Sequence, residues 1–264
     1  MATSGNWPTW IQAQLNKAKI ECGLSEVRKM QLLLPIAVLI PVTLVVVSIF
    51  MVLWRERTSE RGTWVALTSG IVLAVWAIVN TVLSYQGMYH TATSFPPIGI
   101  NLIIVLLVLA LSLIVSRTLR GLLTRQSSLI RLHVWRLEGI VFLILMLLGQ
   151  LPALWALPAG IGDVLIGVTA FSVARGVETP QGKRRAIFWN LFGMFDLIVA
   201  VTLGVTTNPG PAQIFHTTPM SELLTQFPLA LVPTFLVPLA FTLHVISLWQ
   251  LLGGTWARQP SAAN

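Results

Sequence analysis

Charge is what this chain has least of. Only 10% of its 264 residues are Asp, Glu, Lys or Arg, while 55% are hydrophobic. Ordinary soluble domains carry roughly 25% charged residues. Cysteine is nearly absent. A single Cys22 excludes an intrachain disulfide and any cysteine-based metal site. Lysine occurs only at Lys17, Lys19, Lys29 and Lys183, all outside the long apolar runs. A retinal-type Schiff base inside the membrane is therefore excluded. No Walker motif, dinucleotide fingerprint or Gly-x-Ser-x-Gly elbow occurs. The first 30 residues show no apolar core or cleavage site of a signal peptide.

What remains is a series of apolar runs near 20 residues, the length that crosses a roughly 30 Å hydrocarbon core. The pattern predicts an all-α, polytopic membrane helix bundle of about seven transmembrane helices. They are expected near 31–54, 63–84, 98–116, 134–150, 153–174, 186–206 and 228–252. A β-barrel would show short alternating segments instead. Residues 31–252 then form one membrane domain. Residues 253–264 form a short cytoplasmic tail, and residues 1–30 an N-terminal segment. In that segment Trp7, Ile11, Leu15, Ala18 and Cys22 recur at helical spacing, with Gly23 as a stop. An interfacial amphipathic helix and a partly ordered tail both fit.

Lys and Arg sit on alternate loops. Arg55, Arg57 and Arg61 follow the first span. Arg117, Arg120, Arg125, Arg131 and Arg136 follow the third, and Arg175, Lys183, Arg184 and Arg185 the fifth. Loops 85–97, 150–152 and 207–227 have none. The positive-inside rule predicts an outside N-terminus and an inside C-terminus, although Lys17, Lys19, Arg28 and Lys29 stand in the N-terminal segment. The net charge of +8 reads as topology and lipid-headgroup contact, not nucleic-acid binding.

Ionisable side chains inside spans are costly and mark function by default. Four qualify: Glu138, Asp163, Asp196 and His244. The two aspartates share a local pattern, Gly160-x-x-Asp163 and Gly193-x-x-Asp196, each followed by an apolar run and a Thr. In span 5, Ala156, Gly160, Asp163, Gly167, Ala170 and Ala174 fall within an arc of roughly 80°. In span 6, Asn190, Gly193, Asp196, Ala200 and Gly204 fall within roughly 120°. Each aspartate thus lies on a small-residue seam near mid-span. If the seams face each other, two carboxylates share a low-dielectric site, and a proton or cation must offset their charge. The competing reading is structural: each Asp, paired with Asn190, a Thr or a carbonyl, fixes helix packing. His244 and Glu138 lie at similar depth and could relay protons. More plainly, Glu138 could pair with Arg131 or Arg136. No cofactor is expected, and the scattered His90, His133 and His216 fit no zinc site. Only Asp163, Asp196 and His244 together could serve a metal-dependent intramembrane enzyme.

At Leu157-Pro158-Ala159-Gly160-Ile161-Gly162-Asp163, at Trp189-Asn190, Gly193 and Asp196-Leu197, and at His244 and Ser247-Leu248, the chain resembles uncharacterised bacterial multi-pass membrane proteins. The similarity covers roughly the C-terminal half. It implies a bacterial inner-membrane setting, with no activity, cofactor or catalytic residue attached. The expected function is passage or sensing of a proton, small cation or small solute through Asp163 and Asp196, with the bilayer as partner. A non-catalytic accessory subunit of a membrane complex is the alternative.

Overall fold

The computed structural model describes the backbone of residues 9–90 and 97–253, and side chains from Leu32 onward within those ranges. The side chains of the N-terminal segment and residues 254–264 therefore lie outside the described residues. So do the expectations of an amphipathic face and a polar tail. Two compact units, 1–37 and 38–264, divide the chain.

Helix α1 (Thr9–Arg55) runs past Gly23, which does not end it. Then come α2 (Glu60–Tyr85), α3 (Pro97–Val115), and two short helices, α4 (Arg117–Leu122) and α5 (Gln126–Arg131). A 3₁₀ segment (Leu132–Glu138) continues α5 without a break and leads directly into α6 (Gly139–Leu147). Helices α7 (Ala153–Gly176) and α8 (Pro180–Thr207) follow. A short 3₁₀ turn (Ser221–Thr225) and a π segment (Val232–Leu236) precede α9 (Val237–Leu251). No strand occurs among the described residues. Among the described residues six helices are long and apolar enough to cross a membrane, as expected of a multi-pass membrane protein.

The difference from the expected seven lies at 134–150. A single α-helix was expected there. The described chain has a 3₁₀ stretch and a nine-residue helix, neither long enough alone.

Local chemistry explains the main boundaries. The Ser59 hydroxyl caps α2 by accepting from the Gly62 N–H at 3.1 Å. Thr179 does the same for α8, with Pro180 at its first turn. Helices α6 and α7 are joined by the expected tight link. It turns on Gly149, whose φ of 68° few other residues adopt readily. Two prolines shape the start of the last span. Pro233 lies within the π segment and Pro238 just after it. Pro238 has no N–H for the Thr234 carbonyl, four residues back. The side-chain amide of Asn101, from α3, donates to that carbonyl instead, at 2.8 Å.

Within residues 38–264, α7 is the hub. It packs on α8, on α6 and on the 3₁₀ stretch before it. At one end Ile130, Val173, Val177, Ala186 and Leu251 form an apolar core. The small residues Ala66, Gly70, Ala77 and Ser84 of α2 are turned inward. There the Phe50 ring fills the space where a Cβ on Gly70 would stand. Helix α3 buries only Val105.

Candidate functional site

The small-residue seam of α7 is buried as expected, but it faces a different partner. A Cβ on Gly160 would meet the Leu143 side chain at 2.8 Å and the Gly139 carbonyl at 2.9 Å. One on Gly167 would meet the Leu137 backbone nitrogen at 2.9 Å. The seam therefore seats the 3₁₀–α6 segment instead of α8. Asp163 and Asp196 do come together, through a third residue.

That residue is Arg136, whose guanidinium has 0% exposure. Its Nε–H donates to Asp163 Oδ1 and an Nη2–H to Asp196 Oδ2. An Nη1–H donates to His244 Nε2 at 3.0 Å. The 3₁₀ segment carries Arg136 here because Gly139 and Gly167 let backbones approach closely. Gly162 makes room for the Asp196 carboxylate, and Gly193 for the His244 ring. Each aspartate was expected to lie beside small residues. The structure shows what the space is for: the head groups of a buried ion cluster.

Hydrogen bonds continue outward in one direction. Arg136 has only donors, so His244 accepts at Nε2 and donates from Nδ1 to Asn190 Oδ1 at 2.9 Å. The Asn190 amide donates to Ser247 Oγ at 3.0 Å and to the Ala186 carbonyl. Ser247 donates to Gln126 Oε1, and the Gln126 amide to Gln250 Oε1, each at 2.8 Å. The Gln250 amide ends on the Leu123 carbonyl at 2.6 Å. Between His244 and that carbonyl, every side chain is an amide or a hydroxyl. The chain orients the cluster and offers no titratable step beyond the histidine.

His133 lies against His244, tilted, with ring centroids 4.0 Å apart, and Trp189 meets His133 edge-on and His244 at a tilt. Glu138 is buried, and neither carboxyl oxygen has a hydrogen-bond partner. The expected pairing of Glu138 with Arg131 or Arg136 does not form, because Arg136 turns to the aspartates. Nor does Glu138 meet His244, which is held by Arg136 and Asn190.

A cavity of ≈ 240 Å³ reaches the cluster from the end that carries the Lys/Arg-free loops. Asp163 forms part of its lining, and 13% of that side chain is exposed. Among the described residues Asp163 Oδ2 takes no hydrogen bond, since Arg136 uses Oδ1. Trp155, Ala159 and Asp163, four residues apart on one face of α7, line the same wall. Ala200 and Gly204, from the expected seam of α8, line another. Trp155 is fixed by a bond from its Nε1–H to the Ala200 carbonyl at 2.8 Å. Near the mouth, His90 lies 3.4 Å from Glu222. Tyr89 donates to Asn80 Oδ1 at 2.6 Å, and burial pushes its phenol up from the ordinary value.

Arg136 is the residue that sequence reasoning missed. It stands at the start of the expected span 134–150, yet it is grouped there with Arg117, Arg120, Arg125 and Arg131 as a basic loop, with Glu138 as its only suggested partner. The available signal was position, since Arg136 lies inside the apolar stretch that starts at Leu129. The expectation of Asp163, Asp196 and His244 as metal ligands meets the same residue. The guanidinium occupies the point on which all three converge. Among the described residues no group of three or more His, Cys, Asp or Glu is arranged to hold a metal ion.

No curated protein and no solved structure matches the chain. The family model described as "Domain of unknown function (DUF8737)" matches residues 93–252, more than half of the chain. Arg136, Asp163, Asn190, Asp196 and His244 all fall within that match, and the chain belongs to this family.

Proposed function

We propose that this is a seven-crossing protein of the bacterial inner membrane that binds a proton or small cationic solute at Asp163, for transport or sensing. One observation carries the reading: a buried ion cluster with excess negative charge has a single carboxylate open to a cavity. Two carboxylates face one guanidinium, and the hydrogen bonds of His244 are those of a neutral imidazole. One negative charge is therefore left over in a low-dielectric interior, where such an excess is costly unless a proton or cation offsets it.

The seventh crossing is the run from α5 through the 3₁₀ stretch to α6. At about 2.0 Å per 3₁₀ residue and 1.5 Å per α residue it is about 36 Å long, enough for a hydrocarbon core of roughly 30 Å. It starts where Ile130 meets Val177 and Leu251, and ends where Phe142 meets Trp155, 5.1 Å between centroids. Seven crossings with the basic loops inside favour an outside N-terminus. The cavity then opens outward, and the apolar core around Val173 and Leu251 closes the inner side.

Proteoliposomes test the reading. Asp163→Asn and Asp196→Asn should each abolish pH-dependent flux or pH-dependent binding. Unchanged activity in both would end it. The accessory-subunit reading predicts no flux by the purified protein and a stable partner in pull-downs.

A further inference from the structure

We infer that the cavity above Asp163 is a binding site for a small organic monocation, an ammonium on an apolar or aromatic body. This rests on the reading of Asp163 as a site for cationic solutes and names the class of solute.

Charge selects the sign. Among the described residues, those that line the cavity include Asp163 and Glu222 and no Lys or Arg. The one other titratable cation former, His90, is occupied by Glu222 at 3.4 Å. Behind Asp163 stands a cluster with one negative charge left over, and Asp163 Oδ2 is free to accept.

The walls exclude a bare metal ion. Calcium takes six to eight oxygen ligands and magnesium a near-octahedral set. Around Asp163 the lining is instead Phe142, Trp155, Ala159, Leu197 and Val201. These suit a hydrocarbon body, with the rings of Trp155 and Phe142, toward the outer end of the cavity, beside its aromatic part. Size sets the upper limit. A cavity of about 150 Å³ holds benzene, so ≈ 240 Å³ admits a ring with a short aminoalkyl arm.

The test is isothermal titration of the full-length chain in nanodiscs, with empty nanodiscs as blank. Phenethylammonium is the probe. 2-Phenylethanol is its neutral analogue and phenylacetate its anionic one. Saturable binding of the ammonium is expected, with the alcohol at least tenfold weaker and the anion undetectable. Asp163→Asn should weaken the ammonium at least tenfold. Because that variant leaves Arg136 short of a partner, Val201→Phe provides a second arm: it fills the cavity, leaves the cluster intact, and should also weaken binding at least tenfold. Equal affinity for ammonium and alcohol would overturn the inference and make the cavity a seat for lipid chains. So would binding unchanged by Val201→Phe, or no saturable binding to the wild type. If flux sensitive to Asp163→Asn persists in any of these cases, only the solute class fails and the proposed function stands.

Discussion

Helices α3 and α7 are both long enough to cross a membrane, and they differ in nearly everything else. α3 is the most apolar of the candidate spans and the least buried, with 6% of its apolar stretch buried against 44% for α7. α7 carries an aspartate, several glycines and a proline within its length. In a soluble protein the more apolar helix would be the buried one. In lipid the order reverses, because hydrocarbon tails solvate leucine as well as a protein interior does. What must be buried in a membrane is the polar side chain and the backbone brought close enough to serve it. Apolarity in this chain therefore marks the lipid-facing periphery, and interruptions of apolarity mark the centre.

Arg136 is where breaking that contrast should have the largest effect. Arg136→Met leaves two carboxylates buried without their cation. Removing one partner of a buried pair costs about 3–5 kcal/mol, or on the order of 10 °C in unfolding temperature for a chain of this size. The triple variant Arg136→Met, Asp163→Asn, Asp196→Asn should regain most of that loss. Arg131→Met, at an exposed site on the same run, should change stability by less than about 0.5 kcal/mol. Thermal unfolding in detergent separates these outcomes. Equal loss from Arg131→Met and Arg136→Met would show that the cluster is not what holds α6, α7 and α8 together.

Glycines extend the comparison. An added Cβ on Gly162 of α7 would stand 1.8 Å from Asp196 Oδ1, whereas one on Gly99 of α3 meets nothing within 4 Å. Gly162→Ala should cost about 1–3 kcal/mol through overpacking. Gly99→Ala should be neutral, or stabilising by up to about 1 kcal/mol from helix propensity. The pair can be ranked by unfolding temperature in one experiment.

A comparable effect is expected where α3 meets the π segment before α9. Asn101 of α3 donates to the Thr234 carbonyl that Pro238 leaves without a donor. Asn101→Leu should cost about 1–3 kcal/mol if that carbonyl is left dry. It should also raise amide hydrogen exchange across 232–240 specifically. Exchange rising evenly over the chain would show that the amide has no local role.

The same contrast explains how much of this could be read in the sequence. The apolar runs gave the periphery well: α2 and α3 begin and end within a few residues of the expected limits. The aspartates and their glycines were also visible, because polar groups in apolar runs stand out. Three things were not. Arg136 was hidden by its neighbours, since a cation at the very start of an expected span reads as the end of the basic loop before it. The 3₁₀ geometry of 132–138 has no apolar period distinct enough to separate it from α-helix over seven residues. The partner of the α7 seam depended on three-dimensional order: the seam that bears Asp163 fits the segment before it in the chain, not the one after.

Glu138 gives the smallest expected effect and the sharpest discrimination between the ion cluster and mere burial of acids. It sits two residues from Arg136 on the same 3₁₀ stretch, is as buried as Asp196, and has no hydrogen-bond partner on either oxygen. A buried polar group without a partner contributes its desolvation cost and nothing in return. Glu138→Gln keeps the shape and removes the possibility of charge. Stability should then stay within about 1 kcal/mol of wild type or rise slightly, given how little an unpaired group has to lose. Asp163→Asn, by contrast, breaks a charge-assisted bond, and hydrogen bonds to charged groups contribute roughly 1.5–3 kcal/mol. Both variants differ from wild type by one oxygen-to-nitrogen exchange at similar depth. A difference between them therefore measures the partner and not the burial. Equal losses would mean that Glu138 exchanges with the aspartates for Arg136 in solution, and the cluster would then have three acids sharing one cation.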